Sequence, residues 1–151
     1  MRRHDNRQAR SYARRMETLG TLMARDVVAV APEDTLGEAA QKMAEQRVGS
    51  AVVLDHGRLI GIVTERDVLK AVAERVHPSE ARVREWMTGD PVVASQATSA
   101  GEAARTMIEH GFRHLPVVEG DRTVGIVSLR DVVRWSLHLE PGAEHVGSDF
   151  P

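Results

Sequence analysis

The sequence contains an internal duplication. Shifting the sequence by 64 positions, without a gap, pairs Met23 with Met87, Asp26 with Asp90 and Val28 with Val92. The same shift pairs Gly37-Glu38-Ala39-Ala40 with Gly101-Glu102-Ala103-Ala104, Met43 with Met107, Glu45 with Glu109, Val53 with Val117 and Arg58 with Arg122. It then pairs Gly61-Ile62-Val63 with Gly125-Ile126-Val127 and Arg66-Asp67-Val68 with Arg130-Asp131-Val132. Between residues 23–69 and 87–133, 17 of 47 pairs are identical, far more than chance allows. A duplication on this scale restricts the fold strongly. Both copies must fold alike, and an apolar face that one copy cannot cover is available to the other.

Each copy carries the same order of local signals. In the first, the β-branched run 27–30 predicts a strand, and Pro32 ends it. Thr35-Leu36-Gly37-Glu38 has the spacing of a capping box, in which each end side chain bonds the other's backbone amide. Leu36, Ala39, Ala40 and Met43 follow at the spacing of one helical stripe, so a helix is expected over 36–47. The apolar runs 51–54 and 59–63, separated by Asp55-His56-Gly57, predict a hairpin, and Thr64 opens a second helix. The second copy predicts a strand at 92–94, a helix over 100–110 stopped by Gly111, strands at 115–118 and 123–127 around Glu119-Gly120-Asp121, and a helix from Ser128 to about His138. The expected fold class is α+β: two tandem β-α-β-β-α units packed through their sheets with pseudo-twofold symmetry. A unit of roughly 55 residues buries too little surface to stand comfortably alone. Val53, Ile62 and Val63 with Val117, Ile126 and Val127 are therefore expected to form a joint core. The domain reading is a basic arm at 1–18, repeats at 19–76 and 83–139, a linker at 77–82 within the connecting stretch 71–82, and a flexible tail at 140–151.

Charge and composition narrow the function. With 42% hydrophobic and 28% charged residues, the 151-residue chain can bury a core. Its formal charge of −2 lacks the global basic excess of a dedicated nucleic-acid binder. That average hides an arm bearing Arg2, Arg3, Arg7, Arg10, Arg14 and Arg15 ahead of an acidic body. The bland reading of this arm is a solvated extension; the sharper one is a surface for nucleic acid or an acidic partner. Absence of Cys removes disulfides, thiolate metal sites and a Cys nucleophile. No apolar run approaches the ~18 residues of a membrane span, and no signal-peptide segment follows the arginines, so the expected location is cytoplasmic.

No Gly-x-Gly spacing, phosphate loop or Gly-x-Ser-x-Gly elbow occurs, which argues against a nucleotide hydrolase or an acyl-transfer enzyme. His110 and His114 stand four apart, but Gly111 breaks the helix between them, and no metal site is expected. Trp86 and Trp135 lack an interleaved basic stripe and read as packing or dimer residues. What remains is Thr64-x-x-Asp67 and Ser128-x-x-Asp131, each following a glycine-led strand. A helix N-terminus offers free amides and partial positive charge to a phosphate, the Thr or Ser hydroxyl adds a donor, and a carboxylate one turn in can accept both hydroxyls of a ribose. The same spacing also satisfies a capping box with Asp in place of Glu, so spacing alone leaves both readings open.

The motifs Gly61-Ile62-Val63-Thr64-Glu65-Arg66-Asp67 and Gly125-Ile126-Val127-Ser128-Leu129-Arg130-Asp131, together with Arg113-His114-Leu115-Pro116-Val117-Val118 and the Met-x-x-Asp-x-Val openings at Met23 and Met87, resemble the tandem cystathionine-β-synthase (CBS) domain pair, or Bateman module. The likeness covers about residues 19–139. It implies a non-catalytic regulatory module that binds adenine nucleotides (AMP, ADP or ATP, ahead of S-adenosylmethionine) between the repeats, signals by conformational change in energy sensing, and forms a homodimer through its helices. Carried over residue by residue, one nucleotide site would hold Thr64, Arg66, Asp67, Val92, Arg113 and His114. The other would hold Val28, Gly49, Ser50, Ser128, Arg130 and Asp131. Arg113 and His114 can meet phosphate charge where Gly49 and Ser50 cannot, so the Asp67 site is expected to favour the more phosphorylated nucleotide, unless Arg113 pairs with Glu109. Val52 departs from the pattern where the second copy has Pro116. The alternative reading is an interaction protein with degenerate nucleotide sites, whose Arg-rich arm binds nucleic acid or an acidic partner. No catalytic residue, catalytic cofactor or metal is expected, and the downstream target is open.

Overall fold

The computed structural model describes residues 7–10, which are helical, and 16–137. The parts of the arm and tail outside these ranges, with the readings made of them, lie outside the described residues. Twelve elements follow in order: α1 (Leu19–Leu22), β1 (Ala29–Val30), α2 (Leu36–Gln46), β2 (Ser50–Asp55), β3 (Arg58–Thr64), α3 (Glu65–Ala73), α4 (Val83–Trp86), β4 (Thr88–Gly89), α5 (Ala100–His110), β5 (His114–Glu119), β6 (Arg122–Ser128) and α6 (Leu129–Ser136).

Local chemistry explains the main elements. The Thr35 capping box is closed, with Glu38 N–H donating to Thr35 Oγ1 at 3.1 Å and Thr35 N–H to Glu38 Oε2 at 2.9 Å. Leu36, Ala39 and Met43 then line the buried face of α2, as Ala100, Ala103 and Met107 do on α5. In the β2–β3 turn, His56 and Gly57 both take positive φ, 48° and 81°, the geometry that lets a two-residue turn follow the twist of its strands. Among the described residues, no helix is long and apolar enough to cross a membrane.

The first sheet runs β1-β2-β3-β4, with β1 parallel to β2 and the other pairs antiparallel. The second contains only β5-β6, flanked by single bridges from Ala94 to Val117 and from Ala24 to Ile126. The expected strand at 92–94 is therefore reduced to one bridged residue. In the first copy Val52 N–H donates to Val28 C=O at 2.9 Å. The second copy has Pro116 in place of Val52, and proline has no N–H to offer Val92, so the parallel ladder is one rung shorter.

The 64-residue shift also relates hydrogen bonds. Leu19 N–H donates to Thr98 C=O at 2.9 Å and Val83 N–H to Asp34 C=O at 2.8 Å; Ala100 N–H donates to Glu17 C=O at 2.7 Å and Leu36 N–H to Ala81 C=O at 2.9 Å. These bonds place each short helix on the opposite repeat. α1 and Met23 join the second core, with Met107, Val117 and Val127, while α4 and Met87 pack on the first, with Met43, Val53 and Val63. The reason is visible at Gly61 and Gly125. A Cβ there would lie 2.5 Å from Met87 Sδ or Met23 Sδ, so the glycines open the grooves in which the methionines lie.

Two expectations are corrected here. Val53 and Val63 belong to one core and Val117 and Val127 to another, so the joint core does not exist as drawn. The residues of the opposite parity, Val52 and Ile62 in one copy and Pro116 in the other, are buried outside both clusters, on the faces where β3 lies against β6. The stretch 71–82 is also more than a linker. α3 continues to Ala73, and Ala71 and Ala81 are both buried in the first core.

Candidate functional site

Each antiparallel hairpin delivers its last residue to a helix N-terminus. The first amides of these helices bond back to the start of the hairpin: Glu65 N–H to Gly49 C=O at 3.0 Å, and Leu129 N–H to Arg113 C=O at 2.8 Å. Thr64 N–H donates to Asp67 Oδ2 at 2.8 Å and the Thr64 hydroxyl to the same oxygen at 3.3 Å. In the second copy Ser128 N–H donates to Asp131 Oδ2 and Asp131 N–H to Ser128 Oγ, both at 3.0 Å. The capping reading is thus real. It occupies Oδ2 of each carboxylate and leaves Oδ1 without a hydrogen bond among the described residues, so capping and ligand binding do not compete for the same atom.

A cleft of about 400 Å³ opens beside Asp67. It gathers Thr64, Arg66 and Asp67 from one repeat with Val92, Arg113 and His114 from the other. Asp67 is buried, only 8% exposed, while the Arg66 and Arg113 side chains are exposed. Arg113 forms no ion pair with Glu109. Among the described residues the Val92 carbonyl accepts no main-chain hydrogen bond, a consequence of Pro116. Burial holds the His114 imidazole below its ordinary pKa, against the pull of Glu65 and Asp131 and with a smaller push from Arg113. With no ligand in the cleft, this favours the neutral form of His114, whose ring can offer a hydrogen bond.

This arrangement, two capped hairpin–helix units with Asp67 of the first beside an inter-repeat cleft, coincides with what comparison finds. The model of the CBS domain family matches residues 19–74 and again 83–138. The chain belongs to the CBS domain family. An uncharacterised 17.7 kDa protein of Acidianus ambivalens is 40% identical over 115 residues, 75% of this chain and 69% of that protein. Three further curated relatives are spanned over 47%, 65% and 36% of their own lengths. A CBS domain protein from Pyrobaculum aerophilum, solved in complex with AMP, superposes with a TM-score of 0.70 at 30% identity, covering 76% of this chain and 88% of that one. A CBS domain pair in complex with 5′-methylthioadenosine and S-adenosyl-L-methionine gives 0.73 at 25% identity, covering 79% and 94%.

In this CBS pair the second residue set is linked only in part by hydrogen bonds among the described residues. Ser128 and Asp131 are joined by their cap, Ser50 is buried and pairs in register with Thr64, and Gly49 lies against His114. Val28 approaches β2 through its carbonyl, and Arg130 is exposed on α6. No hydrogen bond or ion pair links Val28 or Arg130 to the other four among the described residues. The cleft also includes residues that sequence reading passed over, chiefly Ile62, Glu65, Lys70, Asp90, Pro91 and Phe112. Lys70 could have been found one turn beyond Arg66, and Asp90 in the Met-x-x-Asp opening. Phe112 carried no signal. His110 turns Nδ1 to the Thr106 carbonyl at 2.9 Å and stands beside Phe112.

Proposed function

We propose that this CBS pair is a non-catalytic regulatory module that binds adenosine ligands, AMP, ADP or ATP first, in the cleft between its repeats. The observation that carries this reading is the buried Asp67, whose Oδ1 is left over from the cap and which lies in one cleft with Thr64, Arg66, Arg113 and His114. The α3 N-terminus and Arg113 suit a phosphate, Asp67 suits a ribose, and the unpaired Val92 carbonyl suits an exocyclic amine such as that of adenine. Complexes of related CBS proteins with AMP and with S-adenosyl-L-methionine support the ligand class. Asp131 and Ser128 with Val28, Gly49, Ser50 and Arg130 form the second site of this proposal. A homodimer through α3 and α6 completes it, because Leu69, Val72, Val133 and Leu137 leave an apolar surface there, from 47% to 67% exposed.

Calorimetric titration of AMP, ADP, ATP and S-adenosylmethionine tests the proposal. Saturable binding is expected, and Asp67→Ala should weaken one site about tenfold to a hundredfold, the range for losing hydrogen bonds to a charged group. Asp131→Ala should do the same at the other site. No binding by any of the four ligands overturns the reading.

A further inference from the structure

The internal repeat supplies its own control for what shapes the cleft, and the two helix starts differ at one position. Glu65 is the first residue of α3, and the 64-residue shift puts Leu129 there in α6. Glu65 is among the residues lining the cleft. Its Oε1 lies 3.1 Å from the point a Gly49 Cβ would occupy, and His114 Nε2 lies 3.5 Å from the same point. The carboxylate and the imidazole thus flank Gly49, a residue of the proposed second site, next to the end of the Asp67 cleft where Arg113 and His114 would receive a phosphate. The lining as a whole is balanced, with Glu65, Asp67 and Asp90 set against Arg66, Lys70 and Arg113.

We infer that Glu65 is a specificity-determining residue, which biases the Asp67 cleft against polyphosphates and toward adenosine ligands with one phosphate or none. The inference rests on the proposed nucleotide reading and goes beyond it by ranking the ligands. A carboxylate at the phosphate end repels each added phosphate charge, so it weakens triphosphate binding more than monophosphate binding, and selectivity arises from repulsion as much as from attraction. Gly49 leaves room for this placement, since a Cβ there would crowd the Glu65 carboxylate and require it to shift.

The test compares Kd for ATP and for AMP by calorimetry in an Asp131→Ala background, which isolates the Asp67 cleft, with and without Glu65→Gln. Melting curves confirm that each variant is folded. Neutralising Glu65 should shift the ATP-to-AMP ratio about fivefold or more toward ATP, and added salt should shrink that shift because the effect is Coulombic. The reciprocal Leu129→Glu in an Asp67→Ala background should move the other site's ratio toward AMP. Adenosine ligands that bind with an unchanged ratio in Glu65→Gln overturn this inference and leave the nucleotide reading standing. Failure of the otherwise unmodified protein to bind any of them overturns both.

Discussion

His114 shows how much one position can carry. It lines the cleft, lies over Gly49 and feels carboxylates from both repeats, Glu65 on α3 and Asp131 on α6. Burial, the largest influence, depresses its pKa. A depressed folded-state value means that the stability it supports is complete above the ordinary histidine value and is lost as pH falls through it. Acidification from about pH 7.5 to about pH 5.5 should therefore lower the urea midpoint, and His114→Gln should lose less over the same range. The linkage reverses with a phosphate in the cleft, which favours the imidazolium. Affinity for AMP should thus rise on mild acidification in the native sequence, and the slope should flatten in His114→Gln. The paired aspartates were legible from spacing and family likeness because the motif occurs twice. Glu65 was not, because its importance comes from its contrast with Leu129 and its approach to Gly49, neither of which is local in the chain.

Among the elements, helices and hairpins were the readable part. Thr35 and Glu38 announce α2, Gly111 ends α5, and the turn residues set both hairpins in register. Leu36→Ala, which empties a fully buried site on α2, should cost about 2–4 kcal/mol in a denaturant melt. Strand faces were harder to assign. The runs 51–54 and 115–118 are apolar throughout because both faces of each strand are covered, so alternation disappears and with it the cue for parity. Adjacent Ile62 and Val63 cannot share a face, which is why Val63 joins Val53 in the core of its own repeat while Ile62 is buried outside both clusters. The four-residue helices α1 and α4 are too short to show periodicity. Their packing on the opposite repeat is equally hidden, since both repeats offer equivalent grooves. Those grooves depend on the glycines: Gly61→Ala or Gly125→Ala should each destabilise by about 1–3 kcal/mol, through overpacking against Met87 or Met23.

For the whole molecule, the exposed apolar side chains Leu69, Val72, Val133 and Leu137 make association testable. Sedimentation velocity should give the mass of two protomers, and Leu69→Glu should reduce it to one while the melting transition persists. The duplication made the pseudo-twofold plan legible, and the crossed arms add what it could not show. From α1 on the second core the chain passes to the first through residues 25–28, and it returns from β4 through residues 90–93. The repeats are therefore bound by two straps. A strap of four residues reaches no more than about 14 Å, which leaves room for one sheet to slide on the other but little for the pair to swing apart. Asp90, Pro91 and Val92 of the second strap are themselves walls of the cleft. A ligand seated there would grip the tether as well as the two bodies it joins, so that occupancy is felt as slack or tension in the chain.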